Sequence, residues 1–462
     1  MVSSRSVPLV RIPEPNSAEK KWVIKQLLSE HLGIEFRIEH SSDTYIELQL
    51  GHRKLFIADV LLGSTDRAYL SAQLPELPLS TWNPSSIRGS GQHIDPLPVL
   101  YGRPQVTIDS NDIRCGIDIF GTAFFLLSGL EELLVDTRDE HGRFSGISSL
   151  AYRAGFLDRP LVDEYTEVLW NMITVLCPSL ERRPIASNVV VTCDVDYPFD
   201  QKARTPRQLL RRLKQDVFDC KNPKLALQRL TAACTNRLAE HGFDSNYSFD
   251  WYMDTCEANN RRAIFFFLAG QTSAKFDGSY SIRDNRIQSV MRNAIRRGHE
   301  ISVHSSYDSY RDDHALRREL LNFLDACAIA EISLTEIGNR QHYLRWLAKE
   351  TPAHLAAVGY NYDSTGGFAD RPGFRYGTAR PFRMWGWMSR ASLDLIQRPL
   401  ILMDSTIFAS RYLAMAPSES TIEYMARYRE RATRLGGEFV LLWHNSNLGT
   451  TRHRLCLQEL IR

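Results

Sequence analysis

The chain has 462 residues, 43% of them hydrophobic and 24% charged, and its 56 basic and 54 acidic side chains leave a formal charge of +2. That length exceeds what one ordinary core needs, so two domains are expected, and the composition is that of a folded globular protein. A near-neutral chain without a clustered basic face gives no case for a nucleic-acid partner.

The first residues, MVSSRSVPLVRIPEP, carry no apolar run of secretory length. No stretch approaches the roughly 20 apolar residues of a membrane span. A cytoplasmic location is therefore expected. The eight cysteines are scattered without a CxxC pair, which reads as reduced buried thiols rather than a cysteine zinc site or a disulfide framework.

In chain order, residues 36–40, 45–50 and 55–59 are short runs of β-formers separated by Ser-Ser-Asp and Gly-His-Arg turns, so hairpins are expected. Phe120, Phe124, Leu127 and Leu130 share one face of a helix predicted over 118–134. A second helix is predicted over 162–176. The pattern changes near 180–187, which puts a mixed α+β domain at 1–183 and a second domain at 184–462. From there strands and helices alternate: 188–193, 263–269, 301–303, 332–337, 356–362, 400–403 and 439–443 read as strands. Helices fall at 249–259, at 287–295 with Gly298 as its left-handed stop, and at 422–435. Repeated βα units of this length suggest a complete or partial (β/α) barrel. Spacing alone does not close a barrel, and an open doubly wound sheet is the alternative. Residues 201–245, rich in Arg, Lys and Leu, read as an amphipathic helical insertion, with a grip on an acidic or phosphate-bearing substrate as the other reading.

In such a sheet, catalytic groups gather at the C-terminal ends of the strands. Val189–Val191 leads into Thr-Cys-Asp194-Val-Asp196, two carboxylates on one side of an extended chain. Ile-Ser-Val is followed by His304, with Asp308 four residues on. Asn-Arg340-Gln-His342 puts a guanidinium and an imidazole at another exit. His444 closes the last strand, placed to act as an acid. One carboxylate with two imidazoles leaves open positions on a metal, as a catalytic site requires.

In this order these motifs resemble those of the polysaccharide deacetylases, carbohydrate esterase family 4. Phe249-Asp-Trp, Arg297-Gly-His-Glu and Gly373-Phe-Arg375-Tyr-Gly-Thr are similar to a bacterial subgroup found among surface-polysaccharide biosynthesis genes. Asp118-Ile-Phe-Gly-Thr, Asp139-Glu-His-Gly-Arg-Phe and Arg159-Pro-Leu-Val-Asp resemble the domain of unknown function that precedes the deacetylase there. The resemblance implies a distorted (β/α) barrel after a smaller mixed domain, and a divalent metal, zinc above all. It implies an N-acetylated sugar substrate, lipid- or nucleotide-linked if the enzyme is cytoplasmic. Asp194 matches the general base, Arg340 the arginine that orients it, and His444 the acid that protonates the leaving amine. Asp196 and His304 match metal ligands. The family's second metal histidine is replaced here by Asp308. Either Asp308 ligates, or His342, which stands where the family pattern has proline, completes the site; His342 is favoured. Asp363 and Arg375 are candidates for the sugar pocket, with Asp308 the third if it is not a ligand. Trp385 and Trp387 stack on sugar or pack in the core. The rival readings are a deformylase or O-deacetylase on the same scaffold, and a metal-free carbohydrate-binding protein of polysaccharide assembly.

Overall fold

The structure, a computed structural model, describes residues 7–87, 94–184, 186–199 and 246–462, with isolated positions between 210 and 226. The helical insertion expected at 201–245 lies largely outside the described residues.

The N-terminal part is built on a six-stranded mixed sheet. Its strands are β1 (Leu9–Pro13), β2 (Arg37–Ser41), β3 (Tyr45–Leu50), β4 (Arg53–Ala58), β7 (Gly102–Ile108) and β8 (Asp112–Ile117), in the order β2-β1-β3-β4-β8-β7. Two short strands between β4 and β7, β5 (Ser80–Trp82) and β6 (Leu97–Val99), pair with each other. The hairpin expected from 45–59 is present as β3–β4, turned at Gly51 with φ +68°. The strand at 36–40 does not pair with it, because β1 lies between them, parallel to β2 and antiparallel to β3. Helices Ser17–Ile24, Ile119–Leu127 and Leu161–Leu176 accompany this sheet. The 118–134 helix is broken at Gly129, φ +67°, where the chain bends.

From Asn188 a nine-stranded sheet begins. In chain order it comprises β9 (Asn188–Val195), β10 (Ala263–Leu268), β11 (Glu300–Ser305), β12 (Gly338–Gln341), β13 (Tyr362–Asp363), β14 (Phe382–Gly386), β15 (Ala391–Gln397), β16 (Leu400–Met403) and β17 (Glu438–Leu442). Their order is β14-β15-β13-β12-β11-β10-β9-β17-β16, all parallel except β14. The sheet is curled. Only Arg398 and Pro399 separate β15 from β16, yet β15 pairs with β13 and β16 with β17, so one nearly continuous run reaches both sides.

Two strand expectations are corrected. Residues 332–337 are irregular, and the strand is the polar Gly338–Gln341 that follows. Residues 351–358 form a helix, Pro352 in its first turn and Gly359 at φ +104° beyond its end, so 356–358 is a helix end and, of the expected strand 356–362, only Tyr362 lies in one, at the start of β13.

Alternation along the strands explains the two cores. Val190, Ile264, Phe266, Tyr362, Leu400, Val440 and Leu442 belong to a small apolar cluster of their own. Their neighbours Val191, Cys193, Phe265, Phe267 and Leu441 join the large core beneath the helices. That large core is continuous with the N-terminal part through Trp22, Phe124 and Trp385, whose rings lie 5.5–5.8 Å apart. Trp385 and Trp387 are 1% and 4% exposed, so packing is their role and sugar stacking is not.

Candidate metal centre and its cleft

Along β9 the residues sharing a side with Val190 become polar towards the strand's end: Thr192, Asp194, then Asp196. β11 brings His304 and β12 brings Arg340, paired in register, with His342 just past the strand. β17 ends before His444, and β16 before Asp404. Five sequence-predicted residues thereby line one cleft of about 220 Å³: Asp194, Asp196, His304, His342 and His444.

Three of them converge on a point. One ligand atom each from Asp196, His304 and His342 lies within 4.8 Å of the others. Asp196 Oδ1 is 3.2 Å from His304 Nε2 and 3.5 Å from His342 Nε2. Both imidazoles have already committed their other nitrogen. His304 Nδ1 is 2.8 Å from the Arg340 carbonyl, and His342 Nδ1 is 2.7 Å from Asp277 Oδ1. Each partner is an acceptor, so Nδ1 carries the proton, and a neutral ring then turns an Nε2 lone pair towards a buried carboxylate oxygen that has no hydrogen bond of its own. Three acceptors facing one another are stabilised by a cation between them, and a carboxylate with two imidazoles suits a divalent ion such as zinc. The donor set fits. A proton on His342 is the alternative answer to the same crowding. Burial lowers the His342 pKa, but Asp196 and Asp277 outweigh it and hold it up at about 9. Burial likewise opposes ionisation of Asp196, and His342 and His304 override it to hold the carboxyl well below its ordinary range.

Asp194 is buried beside this cluster, its Oδ2 3.8 Å from His304 Nε2 and its Oδ1 3.9 Å from Arg340 Nη1. Arg340 is fully buried, anchored by Nη2 to Thr192 Oγ1 and Ser364 Oγ and lying over the Phe266 ring. Burial lowers its pKa. On the opposite side, His444 Nε2 is 3.7 Å from Asp196 Oδ2, and His444 Nδ1 is 2.7 Å from Asp404 Oδ1. Asp404 also accepts the His444 and Ser405 backbone N–H groups and the Asn447 amide, so its carboxylate is fixed in place. Burial pushes the His444 pKa down, but Asp404, with Asp196 and Asp194 behind it, raises it to about 10.

Three candidates lie elsewhere. Asp308 is outside the cluster, its half-exposed carboxylate bound by Arg345, which is itself clasped between Tyr307 and Tyr310. Asp363 is fully buried and accepts hydrogen bonds from Asn339, Thr365 and Gln397. Arg375 is buried against Glu132 of the N-terminal part. None of the three lines the cleft. Sequence reading missed Asp277 and Asp404, which hold the two outer imidazoles. Asp404 follows the apolar run Leu400–Met403 and obeys the strand-exit rule, whereas Asp277 sits in a loop and offers no such signal. The cleft wall from Arg143, Tyr343, Arg411 and Tyr412 was missed as well.

A family of unknown function, DUF7033, matches residues 9–178. No curated protein matches the chain. Among solved structures, a protein described as a polysaccharide deacetylase from Mycobacterium smegmatis is 19% identical, with a TM-score of 0.38, over 60% of this chain and 84% of that one. Another so described, from Pseudomonas aeruginosa PAO1, is 16% identical at a TM-score of 0.33, over 60% and 83%. An allantoinase is 14% identical at 0.34, again over 60% and 83%. At these scores the overlap is too loose to transfer any residue's role. Among the described residues, no helix is long and apolar enough to cross a membrane.

Proposed function

We propose that this chain is a divalent-metal-dependent hydrolase that removes an N-acyl group, acetyl first, from an amino sugar of a surface polysaccharide or its precursor. The observation that carries the reading is the convergence of Asp196, His304 and His342 on one point between Asp194–Arg340 and His444–Asp404. In this reading residues 184–462 are a distorted (β/α) barrel, and residues 1–183 are a mixed α+β domain that walls its cleft.

Asp196, His304 and His342 hold the metal, which when bound supplies Lewis acidity to polarise the acyl carbonyl. Asp194 accepts a proton from the attacking water, with the Arg340 guanidinium 3.9 Å from its Oδ1 to orient it. The water oxygen bonds to the acyl carbon and the C–N bond breaks. His444, kept protonated by Asp404, gives its proton to the leaving nitrogen, and the products are a free acid and an amine. Asp277 and Asp404 act through the imidazoles they orient.

The test is acetate and formate release from a panel of N- and O-acylated sugars by metal-loaded protein, with Asp194→Asn alongside. Acetate from N-acetyl sugars, abolished in the variant, is expected. Formate or O-acetyl release alone would correct the bond cleaved. No acyl release by protein carrying its metal would sink the hydrolase.

A further inference from the structure

The walls of the cleft carry two arginines in unequal states. Arg143, from the N-terminal part, is committed. Its Nε donates to Asp139 at 2.8 Å, Nη1 to the Tyr343 carbonyl at 2.8 Å and Nη2 to the Tyr412 hydroxyl at 3.1 Å, and Asp139 neutralises its charge. Arg411 is exposed, and among the described residues no carboxylate stands within 4.0 Å of it. Nor is it on slack chain. Tyr412 N donates to the Ala409 carbonyl at 2.9 Å, Leu413 N to Thr406 at 3.2 Å and Met415 N to Ile407 at 2.9 Å, and the guanidinium rests 5.0 Å from the Tyr412 ring. This folded turn continues the short helix that starts at Asp404, so it is tied to the same segment that holds His444.

The cleft is thus electrostatically divided, with Asp194 and Asp196 at its floor and an unneutralised guanidinium at its wall. Beside that guanidinium, Tyr412 accepts from Arg143 and keeps its own hydroxyl proton to donate. A guanidinium with a hydroxyl donor is a recognition pair for an oxyanion, which Arg engages through two parallel N–H bonds. A neutral sugar would leave that charge without a counterpart.

We infer that the substrate of this cleft carries an anionic group, phosphate or carboxylate, held by Arg411 and Tyr412 while the acyl group reaches the metal centre. This rests on the deacetylase reading for the acyl group, although the anion subsite is measurable without it. Inorganic phosphate is titrated calorimetrically into metal-loaded wild type, Arg411→Gln and Arg411→Lys, with metal content checked in each. Binding to wild type is expected, weaker by about tenfold in Arg411→Gln, the size of one lost charged hydrogen-bonding pair, and partly restored by lysine. N-acetylglucosamine 1-phosphate and N-acetylmuramic acid then separate phosphate from carboxylate, with neutral N-acetylglucosamine as reference. Equal phosphate binding in wild type and Arg411→Gln, or no preference for either anionic sugar over the neutral one, overturns the subsite. Arg411-dependent phosphate binding without acetate release leaves the subsite standing and removes the hydrolase reading instead.

Discussion

Replacing Asp277 with alanine is expected to weaken metal binding without touching a ligand. Asp277 Oδ1 accepts from His342 Nδ1 at 2.7 Å and from the Tyr307 amide at 2.8 Å, while Oδ2 accepts from the Thr272 and Ser273 amides at 2.9 and 2.8 Å. Burial alone would raise its pKa, but His342 and the backbone N–H donors win and hold it low, so it is ionised at neutral pH. An ionised partner fixes the Nδ1–H tautomer and the ring's rotation, which aims Nε2 at Asp196. Loss of such an outer partner costs about 10–100-fold in metal affinity, or about 1.4–2.7 kcal/mol. The assay is competition for zinc against a chromophoric chelator. Thermal unfolding of the metal-free protein alongside shows how much the three orphaned amides cost the fold itself. At a temperature where the metal-free variant is fully folded, the affinity loss must remain. An unchanged affinity in folded variant refutes the reasoning, because His342 then needs no orientation from Asp277 or is not a ligand.

Asp404→Asn removes the charge that holds His444 protonated; since the acid role needs the imidazolium, the alkaline limb of the pH–rate profile moves to lower pH. A limb that stays in place in that variant excludes His444 as the proton donor. Arg375→Ala breaks a buried pair and strands Glu132, which costs about 3–5 kcal/mol of stability. Urea unfolding measures this, while KM for the acetylated sugar stays the same. A raised KM with unchanged stability would return Arg375 to the substrate.

Much of the candidate site was legible because a parallel strand buried on both faces is apolar until its last residues, so Asp194, His304 and His444 stand out against Val, Ile and Leu. The same physics hid β12. Gly338–Gln341 is polar throughout yet wholly buried, because its side chains bond laterally: Asn339 to Asp363 and Ser305, Arg340 to Thr192 and Ser364. A hydropathy reading therefore placed the strand just upstream, on residues 332–337. Asp363 and Arg375 looked like pocket residues because they flank a Gly-rich loop, but such a loop can also be drawn into the interior by its own buried carboxylate and guanidinium. The wall from Arg143 was out of reach, since only the tertiary fold brings it to Tyr343 and Tyr412.

The central claim is the metal held by Asp196, His304 and His342, and elemental analysis of purified wild type, His342→Ala and Asp308→Ala tests it most directly. About one divalent ion per chain is expected in wild type and in Asp308→Ala, and loss in His342→Ala. Loss in Asp308→Ala alone would contradict this ligand set. A wild-type protein that takes up no divalent metal even on reconstitution would contradict the account as a whole.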